Sequence, residues 1–265
     1  MKLIRRDFLG AAVGLIVLMT GFAQAETAQE RGLRLATEAS DRSGGYQDIS
    51  VSGEMILRTA SGQSAERRFD ANWFSNRKGA SRSLLIFRWP GDIRNTALLT
   101  HVFTGKKNDQ WLFLPALERV RRISGSGRSG SFVGSEFAFE DMADQEADKF
   151  KHQWVADQGC PGSGKCHVID RVPTSKSGYS RQRIWLDTSE LRLQQVQYFD
   201  RRGAHLKTLS ISGYKKYGGK FWRASRMDMV NHLTGASTRL NWSGYKFNQG
   251  LQENKFTVNA LRRIR

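Results

Sequence analysis

The chain has 265 residues, and its 42 lysines and arginines outnumber 25 acidic residues to give a formal net charge of +17. That length suffices for one large all-β domain or two small ones. The positive field favours anionic partners such as phospholipid headgroups, lipopolysaccharide or nucleic acid, and a single apolar run, at the N-terminus, excludes a membrane span elsewhere.

That run belongs to residues 1–25, MKLIRRDFLGAAVGLIVLMTGFAQA. Lys2, Arg5 and Arg6 form a basic start, an apolar stretch follows to Phe22, and Ala23-Gln24-Ala25 reads as a cleavage site. The layout predicts a signal peptide cut before Glu26, hence a periplasmic product. Arg5-Arg6-Asp7-Phe8-Leu9 fits the twin-arginine pattern as well as an ordinary secretory signal, so the export route stays open. No lipobox cysteine stands at the cleavage site, and export disfavours nucleic acid as the partner. Residues 26–265 show no proline-rich linker or composition shift, which predicts one domain.

Thr27-Ala28-Gln29-Glu30 has the form of a capping box. Ala28, Gly32, Leu35, Ala36 and Ala39 then recur at helical spacing until Ser43-Gly44-Gly45, predicting one helix with a small-residue face. From Tyr46 onward the chain reads as β. Strands are predicted at 46–59, 65–76, 82–89, 96–104, 109–114, 118–123, 149–156, 166–172, 180–187, 192–200, 204–214, 220–232 and 236–247. Gly, Asn, Asp and Ser turns separate them, and no helices intervene, so the sheet is an antiparallel meander.

Alternation assigns the faces. Phe69, Ala71 and Trp73 share one face, as do Leu85, Phe87 and Trp89, and Met227, Met229 and Leu233. One small helix covers only part of so wide an apolar surface. Either the sheet closes into a packed barrel or it leaves an apolar cavity.

Two glycine-rich stretches imitate nucleotide motifs. Gly159-Cys160-Pro161-Gly162-Ser163-Gly164-Lys165-Cys166 approaches G-x-x-x-x-G-K-S/T, with Cys166 in the hydroxyl position. A phosphate loop must open a helix, whereas Val168, Ile169 and Val172 favour a strand. Two cysteines across a turn in an oxidising compartment read instead as a disulfide, Cys160–Cys166. Gly125-Ser126-Gly127-Arg128-Ser129-Gly130 spells G-x-G-x-x-G, but no amphipathic helix follows, so it reads as a loop at the rim of a site.

Asp109-Gln110-Trp111-Leu112-Phe113-Leu114-Pro115-Ala116-Leu117-Glu118-Arg119-Val120-Arg121-Arg122-Ile123, followed by Gly130-Ser131-Phe132-Val133-Gly134-Ser135-Glu136-Phe137-Ala138-Phe139-Glu140-Asp141, resembles the outer-membrane lipoprotein-sorting family, relatives of the lipoprotein carrier LolA. Phe113 and Phe139 stand for the family's tyrosines and Glu136 for its aspartate. Asp92-Ile93-Arg94-Asn95-Thr96-Ala97 matches another family stretch, with Asn95 replacing a glycine. Trp185-Leu186-Asp187, Tyr198-Phe199-Asp200-Arg201-Arg202-Gly203 and Phe256-Thr257-Val258-Asn259-Ala260-Leu261 extend the match over nearly all of residues 26–265.

The resemblance implies a mainly β, LolA-like fold: a single-domain antiparallel half-open β-barrel wrapped over an N-terminal α-helix, with a cavity for acyl chains. It implies no catalytic centre and no cofactor. The expected function is a periplasmic carrier that binds lipid or lipoprotein acyl chains and passes them towards the outer membrane or a transporter. A lipid-sensing regulator of the same fold is the alternative, and a lipid-modifying enzyme a third reading.

The expected acyl-chain contacts are Trp73, Leu85, Phe87, Trp89, Phe113, Phe132, Phe137, Met227 and Met229, with Phe132 and Phe137 as a movable gate. Arg119, Arg121 and Arg122 meet lipid phosphates or a membrane surface, or else Arg119 and Arg121 share a solvated strand face or pair with Glu136, Glu140 and Asp141. The acidic run from Glu136 to Asp148 reads as a docking patch or a solvated segment. His101, His152, His167, His205 and His232 show no close ligand spacing, so no metal site is expected.

Overall fold

A computed structural model describes residues 25–75 and 80–264; the signal-peptide reading falls on residues 1–24, outside that range, with only its last residue inside. The helix α1 spans Ala28–Ser43 and begins with the predicted capping box: Glu30 N donates to Thr27 Oγ1 at 3.2 Å, and Thr27 N donates to Glu30 Oε2 at 2.9 Å. Gly32, Leu35 and Ala36 are its buried face.

Fifteen strands follow among the described residues. They are β1 (Asp48–Arg58), β2 (Ser64–Ser75), β3 (Ala80–Trp89), β4 (Ala97–Phe103), β5 (Asp109–Leu114), β6 (Arg119–Ile123), β7 (Phe150–Gly159) and β8 (Lys165–Pro173). The remainder are β9 (Arg181–Asp187), β10 (Leu193–Phe199), β11 (His205–Ser212), β12 (Lys215–Tyr217), β13 (Phe221–Arg223), β14 (Arg226–Asn231) and β15 (Ser237–Phe247). Thirteen make one antiparallel sheet in the order β6-β5-β4-β3-β2-β1-β15-β14-β11-β10-β9-β8-β7. The pairing of β1 with β15, Ile49 opposite Phe247 and Arg58 opposite Ser237, joins the two halves. β6 and β7 end the order without pairing to each other, so the barrel is half-open.

One predicted strand divides. Residues 220–232 contain both β13, paired with β12 in a separate hairpin, and β14, paired with β11 and β15. Gly218 and Gly219, at φ of 55° and 67°, turn the chain back on itself, so it rejoins the main sheet only at Arg226. Asn95, at the family's glycine position, has φ of 65°, a left-handed conformation that asparagine tolerates better than most residues.

The sheet is apolar on both faces in its first half. On the outer side Leu84, Ile86, Ala97, Leu99 and Phe113 form a cluster with Phe256 and Leu261 of the C-terminal segment. The carboxylate of Asp48, 1% exposed, anchors that segment by accepting backbone N–H groups from Gln249, Gly250 and Leu251 at 2.8–3.2 Å. The short helix α2 (Val258–Leu261) then places Leu261 against the sheet.

Cys160 and Cys166 are bonded across the β7–β8 turn, as expected, with Cα atoms 5.0 Å apart. Val168 and Ile169 lie in β8, where a phosphate loop would need a helix. The G-x-G-x-x-G stretch is a short 3-10 turn, Gly125–Ser129.

Candidate functional site

The concave face is one continuous apolar cluster. Val51 and Met55 (β1), Phe69 and Ala71 (β2), Leu85 and Phe87 (β3), Leu98 (β4), and Leu240 and Trp242 (β15) supply one half. Met229, Leu209, Ile211, Val196, Tyr198, Ile184, Leu186 and Ile169 continue it across β14, β11, β10, β9 and β8. Leu35 of α1 joins from the end of the sheet near β7. That approach is close: a Cβ on Gly32 would lie 2.7 Å from Trp154 N.

The remaining space is filled by the segment between β6 and β7. Phe132, Phe137 and Phe139 enter the cluster at 0, 3 and 8% exposure. The Phe132 ring stacks on Phe87 with centroids 5.8 Å apart and meets Phe139 edge-on at 5.6 Å. Phe132 N donates to Phe137 O at 2.7 Å, closing a tight loop through Val133 and Gly134 at φ of 49° and 74°. Positive φ is an outlier for a β-branched residue and strains the backbone by roughly 1–3 kcal/mol. The predicted cavity is therefore occupied by the chain's own aromatic side chains.

A polar network latches this plug. Lys207 Nζ donates to Asp141 Oδ2 at 2.7 Å and to Glu136 O at 2.9 Å. Tyr179 OH donates to Asp141 at 3.0 Å, Ala138 N to Asp141 at 2.7 Å, and Asn231 Nδ2 to Glu136 Oε2 at 2.7 Å. Arg67 also bonds the carbonyl of Val133. Burial, reinforced by the Asp141 charge, pushes the Tyr179 and Tyr198 hydroxyls well above the ordinary tyrosine value, so both stay neutral. Burial pulls Arg171 down to about 10, leaving it charged at neutral pH, with its Nε donating to Gln182 Oε1 at 2.8 Å.

Of the predicted contacts, Leu85, Phe87, Phe132, Phe137 and Met229 meet in the concave cluster, and Trp73 and Met227 pack partly buried against it. Two do not. Phe113 belongs to the outer cluster, because Leu112, its neighbour in β5, takes the concave side. Trp89 is 47% exposed at the end of β3, its ring beneath the Arg68 guanidinium at 5.5 Å. Leu233, placed with Met227 and Met229 by alternation, is 81% exposed because β14 ends before it, at Asn231.

Arg119, Arg121 and Arg122 are exposed on the terminal strand β6. Arg122 pairs with Asp109, whereas Arg119 and Arg121 have no ion-pair partner among the described residues, and none of the three pairs with Glu136, Glu140 or Asp141. The first half of the acidic run is engaged rather than solvated: Glu136 and Asp141 serve the latch, and Glu140 accepts from Ser177 Oγ at 2.6 Å and Gly178 N at 2.8 Å, whereas Asp148 at its far end is exposed.

Sequence reasoning missed Phe139, Trp242 and the Lys207–Asp141 pair. A signal for Lys207 existed: it shares its face of β11 with Leu209 and Ile211, so alternation places a lysine in the core. No group of three or more histidine, cysteine or carboxylate side chains among the described residues could hold a metal, and none of their helices is long and apolar enough to cross a membrane.

A family model whose description reads "Uncharacterized protein" matches residues 79–263. Among solved structures, the chain is similar to a domain from Vibrio parahaemolyticus named for outer membrane lipoprotein sorting, at 42% identity and a TM-score of 0.85, over 89% of this chain and 100% of that one. A DUF1329 family protein from Desulfovibrio piger is 26% identical at a TM-score of 0.84, over 89% of this chain and 99% of that one. A LolA superfamily protein from Nitrosomonas europaea shares the fold at 19% identity and a TM-score of 0.69, over 88 and 99% of the two chains. No curated protein matches the sequence.

Proposed function

The chain belongs to the outer-membrane lipoprotein-sorting family of LolA-like proteins, and from that premise we propose that it is a periplasmic carrier for the acyl chains of lipids or lipoproteins. In this reading residues 1–25 are the cleaved signal peptide and residues 26–265 the lipid-binding domain. Cargo lies on the concave face, against Trp73, Leu85, Phe87, Met227 and Met229, after the plug bearing Phe132 and Phe137 swings out. It is then passed towards the outer membrane or a transporter, with Arg119 and Arg121 facing the membrane surface. The observation that carries the reading is the insertion of Phe132 and Phe137 by an irregular loop, and of Phe139 by the short 3-10 turn Phe139–Met142 that follows it, into the concave cluster, rather than by a strand of the sheet or an α-helix.

Magnitudes permit the exchange. Withdrawing three buried phenylalanines costs roughly 5–9 kcal/mol, and each buried methylene returns about 0.8 kcal/mol. A chain of about six to eleven methylenes offsets the plug, and longer chains bind with a surplus. Methionines at the lining adapt to varied chains.

The test is native mass spectrometry of protein purified from its own periplasm, with extraction of bound lipid, alongside uptake of an uncharged fluorescent acyl probe. Recovery of lipid and saturable uptake are expected. Protein that is always empty and never takes up the probe would sink the reading.

A further inference from the structure

A cleft of about 260 Å³ lies where the β4–β5 turn, the plug-bearing segment and the β8–β9 connection meet. These elements come from near the two ends of the strand order, so the cleft sits at the unpaired seam of the half-open barrel. Its lining is ionic: Lys106, Lys107, Arg128, Lys149 and Lys176 stand against Glu140, Asp144 and Asp148.

The carboxylates are already engaged. Glu140 accepts from Ser177 and Gly178, Asp144 accepts from Ser81 Oγ at 2.7 Å, and Asp148 accepts from Gly105 N at 2.6 Å. Lys149 is also held, by the carbonyls of Phe103 and Lys106 and by Asp148 at 3.6 Å. Lys106, Lys107, Lys176 and Arg128 are different: among the described residues they have no ion-pair partner. Arg128 Nε and Asn108 Oδ1, both buried, have no hydrogen-bond partner among the described residues. A buried guanidinium nitrogen without an acceptor is costly, and a bound anion removes that cost.

We propose that this cleft binds a phosphate group, with Arg128 as the directional donor and Lys106, Lys107 and Lys176 supplying charge. Arg128 and Glu140 belong to the same segment as the plug, whereas Ser177 and Lys176 lie in the β8–β9 connection. A phosphate held between them ties the base of the plug to the seam. Assigning the phosphate to a lipid headgroup rests on the carrier reading; the anion site itself does not.

The experiment is calorimetric titration of the intact protein with inorganic phosphate, with dihexanoyl phosphatidylglycerol below its micellar concentration, and with uncharged dihexanoyl glycerol. Phosphatidylglycerol is expected to bind, uncharged dihexanoyl glycerol to bind at least tenfold more weakly, and R128Q and K176Q each to weaken the anionic lipid about tenfold. K165Q, on β8 outside the cleft, should leave binding unchanged. If inorganic phosphate binds as tightly as the lipid and R128Q weakens both, the site takes free phosphate; if phosphate neither binds nor competes, it reads a headgroup. Absence of binding by both anions, or binding indifferent to R128Q and K176Q, overturns the proposal. Phosphate binding retained in a protein that never takes up the uncharged acyl probe rejects the carrier reading and leaves the anion site standing.

Discussion

Lys207 Nζ lies 2.7 Å from Asp141 Oδ2, with the two side chains only 5 and 3% exposed. The pair joins strand β11 of the wall to the segment that fills it. Neither charge has water to fall back on, so removing one partner strands the other in the core, at about 3–5 kcal/mol. Lys207→Met and Asp141→Asn are expected to lose that much in urea unfolding. The double variant Lys207→Met/Asp141→Leu should recover part of it, because an apolar pair carries no charge to desolvate, while Tyr179 OH, Ala138 N and Glu136 O lose their partners. A double variant as unstable as the sum of the singles would contradict this.

The small-residue face of α1 sets a second expectation. Alanine at an exposed helix interior normally gains about 1 kcal/mol over glycine. At Gly32 the added Cβ would sit 2.7 Å from Trp154 N and 3.0 Å from Gln153 N, and backbone cannot yield. Overpacking of this kind costs about 1–3 kcal/mol and outweighs the propensity gain. Gly32→Ala should therefore lower the melting temperature, with near-ultraviolet circular dichroism reporting a displaced Trp154.

Acid stability should depend on Asp187. Burial alone would raise its carboxyl, but hydrogen bonds from Arg192, from Glu190 N and from Ser189 prevail and hold it at about 2. A folded value below the unfolded value of about 3.9 means the stabilisation is present above that value and is lost as pH falls from about 4 towards 2. Its size is on the order of 2 kcal/mol. Asp187→Asn should flatten that part of the stability profile and leave the profile above pH ~5 with the same slope.

The Cys160–Cys166 bridge closes a small loop, worth roughly 2 kcal/mol by the chain-entropy model. It packs with Val168 and Trp185 in a cluster separate from the concave one. Cys160→Ser/Cys166→Ser should cost about that much in thermal unfolding while leaving uptake of an acyl probe intact.

Period-2 alternation made the sheet legible: the thirteen strands of the main sheet fall within the predicted runs to within about three residues, and Phe69, Ala71, Leu85 and Phe87 share the face assigned to them. The capping box gave the start of α1 for the same reason, being a local pattern. What stayed hidden was non-local. Alternation says that Leu84, Ile86 and Leu99 oppose Leu85 and Leu98, but not that Phe256 and Leu261 return to cover them. Alternation also fails past the end of a strand, as at Leu233, and across a register shift, as at Trp89, where the pairing jumps from Phe69–Phe87 to Arg68–Trp89 at the end of β3. Phe132 and Phe137 are expected at the cavity from their aromatic loop, but alternation does not show that they fill it, since they lie in a segment without periodicity and their burial depends on Lys207 and Asn231, 71 and 95 residues from Glu136.

The plug itself gives the sharpest expectation. Phe132 is fully buried between Phe87 and Phe139, so Phe132→Ala should destabilise the protein by about 3–5 kcal/mol. If the ring merely packs a core, that loss is the whole effect. If it stands in for cargo, the emptied space becomes available to an acyl chain without displacing a ring. Uptake should then tighten as stability falls, and probes a few methylenes shorter than the wild-type minimum should bind, each methylene being worth about 0.8 kcal/mol. Bound probe should also restore part of the lost melting temperature, since a ligand that binds only the folded state stabilises it by mass action. Phe113→Ala supplies the contrast: it opens space on the outer face beneath Phe256, so it should lose stability with no change in chain-length preference. Equal effects of the two substitutions on uptake would reduce Phe132 to a structural side chain.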